Sequence, residues 1–302
     1  MNHPTTETLI TVFTPTYNRR DCIHRCYESL RRQSSHNFQW LIIDDGSSDD
    51  TESLIRSWQA EETRFSIRYC YKENGGLHTA YNKAIELCDT ELFVCIDSDD
   101  WMPDDAIEKI EAIWSRVGDR GYVGIMGIDR YADGSVVGGT FPEDVHEMYL
   151  YEKLTTYKTP GDKKMIHRTE LLKKVAPMPT FPGEKFFNPS YLMYLLDQFG
   201  KLYVTNDCFC IVDHQPDGMS SNFYKQLRTS PRSFAETRKL YLSFPDITPA
   251  FKLRHSIHYV SNILTAKRFW KGMAESVFPL YSWLAVLPGF ALYLLILFKT
   301  RK

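Results

Sequence analysis

Over its first hundred residues the chain alternates short apolar runs with amphipathic stretches. Residues 9–14, 40–44, 66–71 and 92–96 are apolar or rich in β-branched and aromatic side chains, and each is short enough for a strand. Between them, 21–33, 51–60 and 77–87 repeat apolar positions at helical spacing. Three strand–helix repeats predict β-α-β units, and these force parallel pairing with right-handed crossovers. The expected fold is therefore α/β, a doubly wound, mostly parallel sheet flanked by helices, with working loops at the carboxyl ends of its strands. Further strands are expected at 122–128, 201–205 and 208–212, separated by Gly- and Pro-containing loops such as 133–143 and 176–183.

The pattern changes near residue 222, which divides an expected catalytic domain, 1–221, from a helical extension, 222–302. Residues 277–298 form a run of 22 without a charge, which as one helix would extend ~33 Å, about the thickness of a bilayer's hydrocarbon core. Pro288-Gly289 interrupts that run. Lys267, Arg268 and Lys271 precede it and Lys299, Arg301 and Lys302 follow it, so both flanks favour the same side of a membrane. The pattern favours a membrane-associating segment that dips into or lies along the surface over a simple span. A buried core helix is the competing reading.

Charge sharpens this division. Residues 222–274 hold ten Lys/Arg against two Asp/Glu, while the first 221 hold 23 against 35. An acidic body with a basic extension argues against nucleic acid as a partner and for an anionic membrane surface. Seven cysteines without a Cys-x-x-Cys pair suit neither a disulfide framework nor a zinc knuckle, and the polar N-terminus lacks the pattern of a signal peptide. A cytoplasmic location, peripheral or monotopic on the membrane, is the expectation.

Three polar segments end successive predicted strands: Pro15-Thr16-Tyr17-Asn18, Asp44-Asp45-Gly46-Ser47, and Asp97-Ser98-Asp99-Asp100 with Pro103-Asp104 behind it. Closely spaced carboxylates supply hard oxygens for Mg²⁺ or Mn²⁺, ions that keep coordination positions open for substrate phosphates. Tyr17 offers a flat ring to a nucleobase, and Asn74-Gly75-Gly76 lets backbone approach a phosphate or ribose at a helix start. No Gly-x-Ser-x-Gly, Gly-x-x-x-x-Gly-Lys-Ser/Thr or Gly-x-Gly-x-x-Gly motif is present, which disfavours serine hydrolases, phosphate-loop ATPases and dinucleotide oxidoreductases.

In order and spacing, these segments resemble the nucleotide-sugar half of a family 2 glycosyltransferase with the GT-A fold, across roughly residues 8–220. The resemblance implies that Pro15 and Tyr17 line the base pocket, that Asp45 accepts a hydrogen bond from the base, most often uracil, and that Asp97 faces the ribose. It implies a divalent ion, Mn²⁺ or Mg²⁺, held by Asp99 and Asp97, with Asp100 and His214 as further candidates. Ser98, Asn74, Gly75, Gly76, His78 and Asn82 join the donor-binding set. Tyr81 stands where many members place Arg. Glu184 aligns with the family's acceptor-activating acid, although Lys185 replaces the second acid of that pair. The implied activity is metal-dependent inverting transfer from a nucleotide sugar, a UDP-sugar first among them, to a glycan or lipid-linked acceptor in surface-polysaccharide synthesis. Transfer to polyprenyl phosphate, or a non-catalytic nucleotide-sugar-binding scaffold, remain alternatives.

Overall fold

The computed structural model describes residues 8–213 and 223–301. Chain contacts divide it into two compact units: residues 1–75, 79–177 and 192–214, and residues 76–78, 178–191 and 215–302.

The first unit is built on strands β1 (Ile10–Thr16), β2 (Phe38–Asp44), β3 (Ser66–Tyr71) and β4 (Leu92–Cys95), separated by helices α1 (Ile23–Arg31), α2 (Thr51–Glu61) and α3 (Leu77–Leu87). After α4 (Ala106–Val117) come β5 (Gly124–Tyr131), β6 (Glu147–Met148), α5 (Glu152–Thr155), β7 (Lys163–Arg168), α6 (Thr169–Val175), α7 (Ser190–Leu195) and β8 (Leu202–Val212). The eight strands form one sheet in the order β3-β2-β1-β4-β7-β5-β8-β6. Pairs β1–β2, β2–β3, β1–β4 and β5–β8 are parallel; β7 runs antiparallel to both neighbours, and β6 to β8. All seven residues of β1 and of β2 are buried, as a central strand covered on both faces requires. On one face Tyr27, Trp40 and Trp58 stack, with the Tyr27 and Trp58 rings 4.3 Å apart.

Two strands were not legible in the hydrophobic pattern. β6 is only two residues long, and β7 reads Lys-Lys-Met-Ile-His-Arg. Lys163 of β7 finds its partners inside: its Nζ donates to the carbonyls of Val137, Pro160 and Asp162 at 3.1–3.2 Å. The two short strands expected at 201–205 and 208–212 are one strand, β8, whose register against β5 shifts around Ile128.

His167 on β7 is buried, and neither ring nitrogen has a hydrogen-bond partner. Burial pushes its pKa from 6.5 down to about 3. A group depressed in this way contributes stability above its unfolded pKa and loses it as pH falls from 6.5 toward 3. His167→Leu is therefore expected to move the acid-unfolding midpoint to lower pH; an unchanged midpoint would contradict a neutral, unpartnered imidazole.

The second unit is helical. It contains α8 (Phe223–Thr229), α9 (Pro231–Leu242), α10 (Pro249–Thr265), α11 (Phe269–Ala274), α12 (Pro279–Leu284) and α13 (Val286–Lys299). Around α10, the buried residues Tyr259, Val260 and Ile263 form a small core with Ala235, Met273 and Ala285. Gly289 lets α13 approach α10 closely, because a Cβ there would lie 2.8 Å from that of Val260. The apolar run at 277–298 is interrupted at Ala285, not at Pro288-Gly289. Pro288 instead falls in the first turn of α13, where backbone N–H groups have no intrahelical partner to lose. Among the described residues no helix is long and apolar enough to cross a membrane. The run is nevertheless well exposed: Leu287 is 82% accessible, Leu280 and Phe298 69% each, and neighbouring Trp270 75%.

Candidate functional site

Parallel pairing places the carboxyl ends of β1, β2 and β4 along one sheet edge, with Thr16 beside Asp44 and Phe13 beside Cys95. Asp45 and Asp97 thus leave strands separated only by β1, a lateral distance of about 10 Å at ordinary strand spacing. Tyr17, half exposed, sits at the end of the strand between them, while Pro15 is buried within β1.

The first two motifs lock together. Asn18 adopts φ 52°, a left-handed conformation that Asn tolerates better than most residues. In that pose its N–H donates to Ser47 Oγ and its Oδ1 accepts from the Ser48 N–H, each at 2.8 Å. Asp44 organises this turn: one carboxylate oxygen accepts from the Ser47 N–H at 2.7 Å and the other from Tyr69 Oη at 2.8 Å. The adjacent acids therefore have different tasks, since Asp44 is built into the turn.

Asp45 is buried in a small network. Its Oδ1 accepts from Lys72 Nζ at 2.6 Å and from the Gly75 N–H at 2.9 Å, and its carbonyl accepts from Asn74 Nδ2 at 2.8 Å. Lys72 also donates to Thr79 Oγ1 at 2.8 Å and to the Glu73 carbonyl at 2.6 Å. The Asn74-Gly75 segment is thereby tied to the end of β2. Gly46 makes the close passage possible, because with φ 89° any Cβ would press on the Asn74 backbone at 2.8 Å. Asn82 lies half-buried on α3, and Tyr81 beside it points into the core, edge-on to Phe13 at 4.9 Å. Position 81, where many family members place Arg, is a core position here.

At the end of β4, Asp97 keeps accessible surface although neighbouring protein desolvates its carboxyl; Asp99 is half-exposed, and Ser98 and Asp100 are buried. Burial pushes the Asp97 carboxyl up and that of Asp100 to about 7; Lys164 works against both shifts, and Asp99 adds to both. Lys164, on β7, donates to the Cys95 carbonyl at 3.2 Å. Burial opposes its charge, but Cys210, Asp129, Asp100 and Asp97 together raise its pKa above the usual range. One ammonium thus faces several acids, an arrangement that a further cation would stabilise.

Of the expected ligands Asp97, Asp99, Asp100 and His214, the structure describes the three aspartates. Among the described residues no three of His, Cys, Asp and Glu converge as a metal cluster, and His214 lies outside the described residues. Asp100 turns toward β8, accepting from the Asp213 N–H at 3.3 Å and from the Cys210 thiol at 3.7 Å. Asp97 and Asp99 still suit an ion such as Mn²⁺ or Mg²⁺, which binds through one or two carboxylates and completes its shell with water and substrate phosphates.

Three predicted site residues belong to the second unit. Gly76, at φ 94°, passes so close to the Lys185 carbonyl that no side chain fits. His78 is buried, with its ring 6.3 Å from that of Phe187. Glu184 has both carboxylate oxygens engaged at the start of α9: Oε1 accepts from the Arg232 N–H at 2.9 Å, and Oε2 from the Ser233 N–H at 2.9 Å and Ser233 Oγ at 2.7 Å. It is a helix cap supplied from a distant loop. Glu184→Ala should cost about 1–2 kcal/mol of stability. Thermal denaturation checks this, and an unaltered Tm would contradict the capping role. Transfer lost beyond the folded fraction would measure any separate role as base.

Sequence reasoning did not reach Lys72, Thr79, Asp129 or Lys164. Lys72 directly precedes the Asn-Gly segment and was findable as a charge beside it; Lys164 carried no signal, because its strand was not recognised. A recess of about 580 Å³ lined by Arg32, Ser34, Trp101, Met102, Pro103 and Asp104, among others, contains none of the predicted site residues.

An open sheet with acids at the ends of β2 and β4 and an aromatic on the loop between them has the layout of a GT-A glycosyltransferase. Residues 11–172 match the domain described as Glycosyl transferase family 2, and the chain belongs to that family. The chain is 35% identical over 100 residues to an Escherichia coli chondroitin synthase, covering 33% of this chain and 14% of that protein. It is 30% identical over 103 residues to glycosyltransferase GlyG of Streptococcus pneumoniae, covering 34% of each. Matches to these and other curated relatives span between 10% and 40% of the relatives' own lengths. Among solved structures, the mannosyltransferase PcManGT of Pyrobaculum calidifontis superposes with TM-score 0.58 at 17% identity, covering 99% of this chain and 89% of that one. S. aureus TarS 1–349 superposes with TM-score 0.54 at 18% identity, covering 95% and 81%.

Proposed function

We propose that this glycosyltransferase moves a sugar, with inversion, from a nucleotide-sugar donor to a glycan or lipid-linked acceptor in surface-polysaccharide assembly. The observation that carries the reading is the sheet edge on which Asp45, Tyr17 and the Asp97–Asp99 turn stand side by side. Tyr17 and the Asp45 network would receive the base, and Asp97 and Asp99 the divalent ion that offsets charge on the leaving diphosphate. Similar structures support this: TarS 1–349 is described in complex with UDP-GlcNAc, and PcManGT with GDP-Man and Mn²⁺. A UDP-sugar is the favoured donor, on the base contact proposed for Asp45. Glu184 is the proposed base, acting from its capped position. Thermal-shift screening of nucleotide sugars with Mn²⁺ present tests the donor reading: a UDP-sugar should stabilise the protein and Asp45→Ala should abolish that shift, whereas no shift with any nucleotide sugar would oppose it.

We further place the enzyme peripherally on an anionic membrane surface, at the cytoplasmic face. Exposed Trp270, Leu280, Trp283, Leu284, Leu287 and Phe298 supply apolar anchors, and Lys267, Arg268, Lys271, Lys299 and Arg301 the complementary charge. Co-sedimentation with phosphatidylglycerol vesicles should fall sharply in Leu287→Glu; binding equal to wild type would remove this face from the interaction.

A further inference from the structure

In the second unit, α9 and α10 meet along a seam where Arg238 and Arg254 have no carboxylate partner among the described residues. Arg238 of α9 is half-buried against the α10 face carrying Phe251, His255, His258 and Asn262, spaced four, three and four residues apart. Arg238 Nη1 donates to His255 Nδ1 at 3.1 Å, so that nitrogen is an acceptor and the imidazole is neutral. The His255 ring lies 4.1 Å from Phe251 and 5.3 Å from Tyr241, and the Arg238 guanidinium 5.5 Å from the Tyr241 ring.

The seam is left with unused nitrogen. Arg238 Nε, His258 Nδ1 and, a turn further on, Asn262 Nδ2 are buried without a hydrogen-bond partner among the described residues. The guanidinium and amide nitrogens can only donate. No ion pair involves Arg238, Arg254 or His258 among the described residues, and the charged neighbours that act on Arg238 and His258 include no carboxylate. Burial first, and then Arg254, depresses the Arg238 pKa; burial, Arg238 and Arg254 hold His258 down to about 4. A desolvated guanidinium is ordinarily kept with an anion against it, since unpaired it is costly. Arg254, one turn before His258 on α10, is exposed.

We propose that this seam binds a phosphate-class anion, a phosphomonoester or diphosphate, through Arg238, Arg254 and His258. Arg supplies a planar fork matched to phosphate oxygens, and each charge-assisted contact would replace one of the missing partners. The site is made wholly of second-unit residues and does not depend on the donor reading. A soluble phosphate and the phosphorylated headgroup of a lipid present the same chemistry.

The test follows the His255 and His258 side-chain resonances of the full chain by NMR. Inorganic pyrophosphate is titrated in one arm; vesicles of phosphatidylcholine with phosphatidic acid are added in another, and phosphatidylcholine vesicles alone in a third. A saturable shift at both histidines is expected with pyrophosphate, which supports a soluble source, or with phosphatidic acid vesicles only, which supports a lipid one. Affinity should fall about 10-fold in Arg254→Ala, whose exposed position leaves folding intact, and likewise in Arg238→Lys. No shift in either anionic arm, a shift equal with phosphatidylcholine alone, or equal affinity in wild type and Arg254→Ala would overturn the proposal. The Arg254→Ala arm separates this site from pyrophosphate bound elsewhere on the chain.

Discussion

Asp99→Ala is expected to lower the rate of sugar transfer by about 10²–10³-fold, with little change in folding stability. The residue is half-exposed in the turn after β4, and no hydrogen bond or ion pair of its side chain contributes to the fold among the described residues. Its carboxylate is therefore available to a cation in a way that those of Asp44 and Asp100 are not. Both of the latter are committed to local structure. The measurement is the initial rate of transfer with saturating Mn²⁺ and with chelator. Wild type should lose activity in chelator and Asp99→Ala should be nearly insensitive to the metal; equal rates for the two proteins would remove Asp99 from the reaction.

Lys164→Met should lower stability by about 1–3 kcal/mol, because it removes a half-buried positive charge that offsets Asp97, Asp100 and Asp129. The loss carries a pH signature. Burial already raises the Asp100 pKa to about 7, and a carboxyl raised in this way costs folding free energy as pH climbs from its ordinary 3.8 through the folded value. Lys164 opposes that rise, so the gap between wild type and variant should widen above pH 7 and narrow below it, where Asp100 can take a proton. Denaturant unfolding across this range decides the matter. A loss independent of pH would mean that the lysine acts by packing alone.

Much of the first unit was legible because its signals were local. The runs that became β1, β2, β3 and β4 are apolar and bounded by turn residues, and helical spacing in α1, α2 and α3 between them required parallel pairing. The three motifs at the strand ends were visible for the same reason, as polar clusters following buried runs. What stayed hidden depends on contacts distant in sequence. β7 contains two lysines, and between β4 and β5 they are received by backbone carbonyls distant in sequence, those of Val137 and Cys95 among them. Glu184 looked like a reactive acid in a loop, yet its partners are α9 backbone groups 48 and 49 residues away. The break in the apolar run was assigned to Pro288, because a proline inside a helix normally interrupts it; at the first turn of α13 it does not.

The sheet edge between β2 and β4 is proposed to hold a nucleotide sugar, with its base toward Asp45 and its diphosphate toward Asp97 and Asp99. The most direct measurement is a crystal structure of the protein soaked with UDP-sugar and Mn²⁺. The expected result is density for the uracil beside Tyr17 and Asp45, and for one ion between the diphosphate and Asp99. Density for the nucleotide at any other place on the molecule, with this edge filled only by water, would contradict the account.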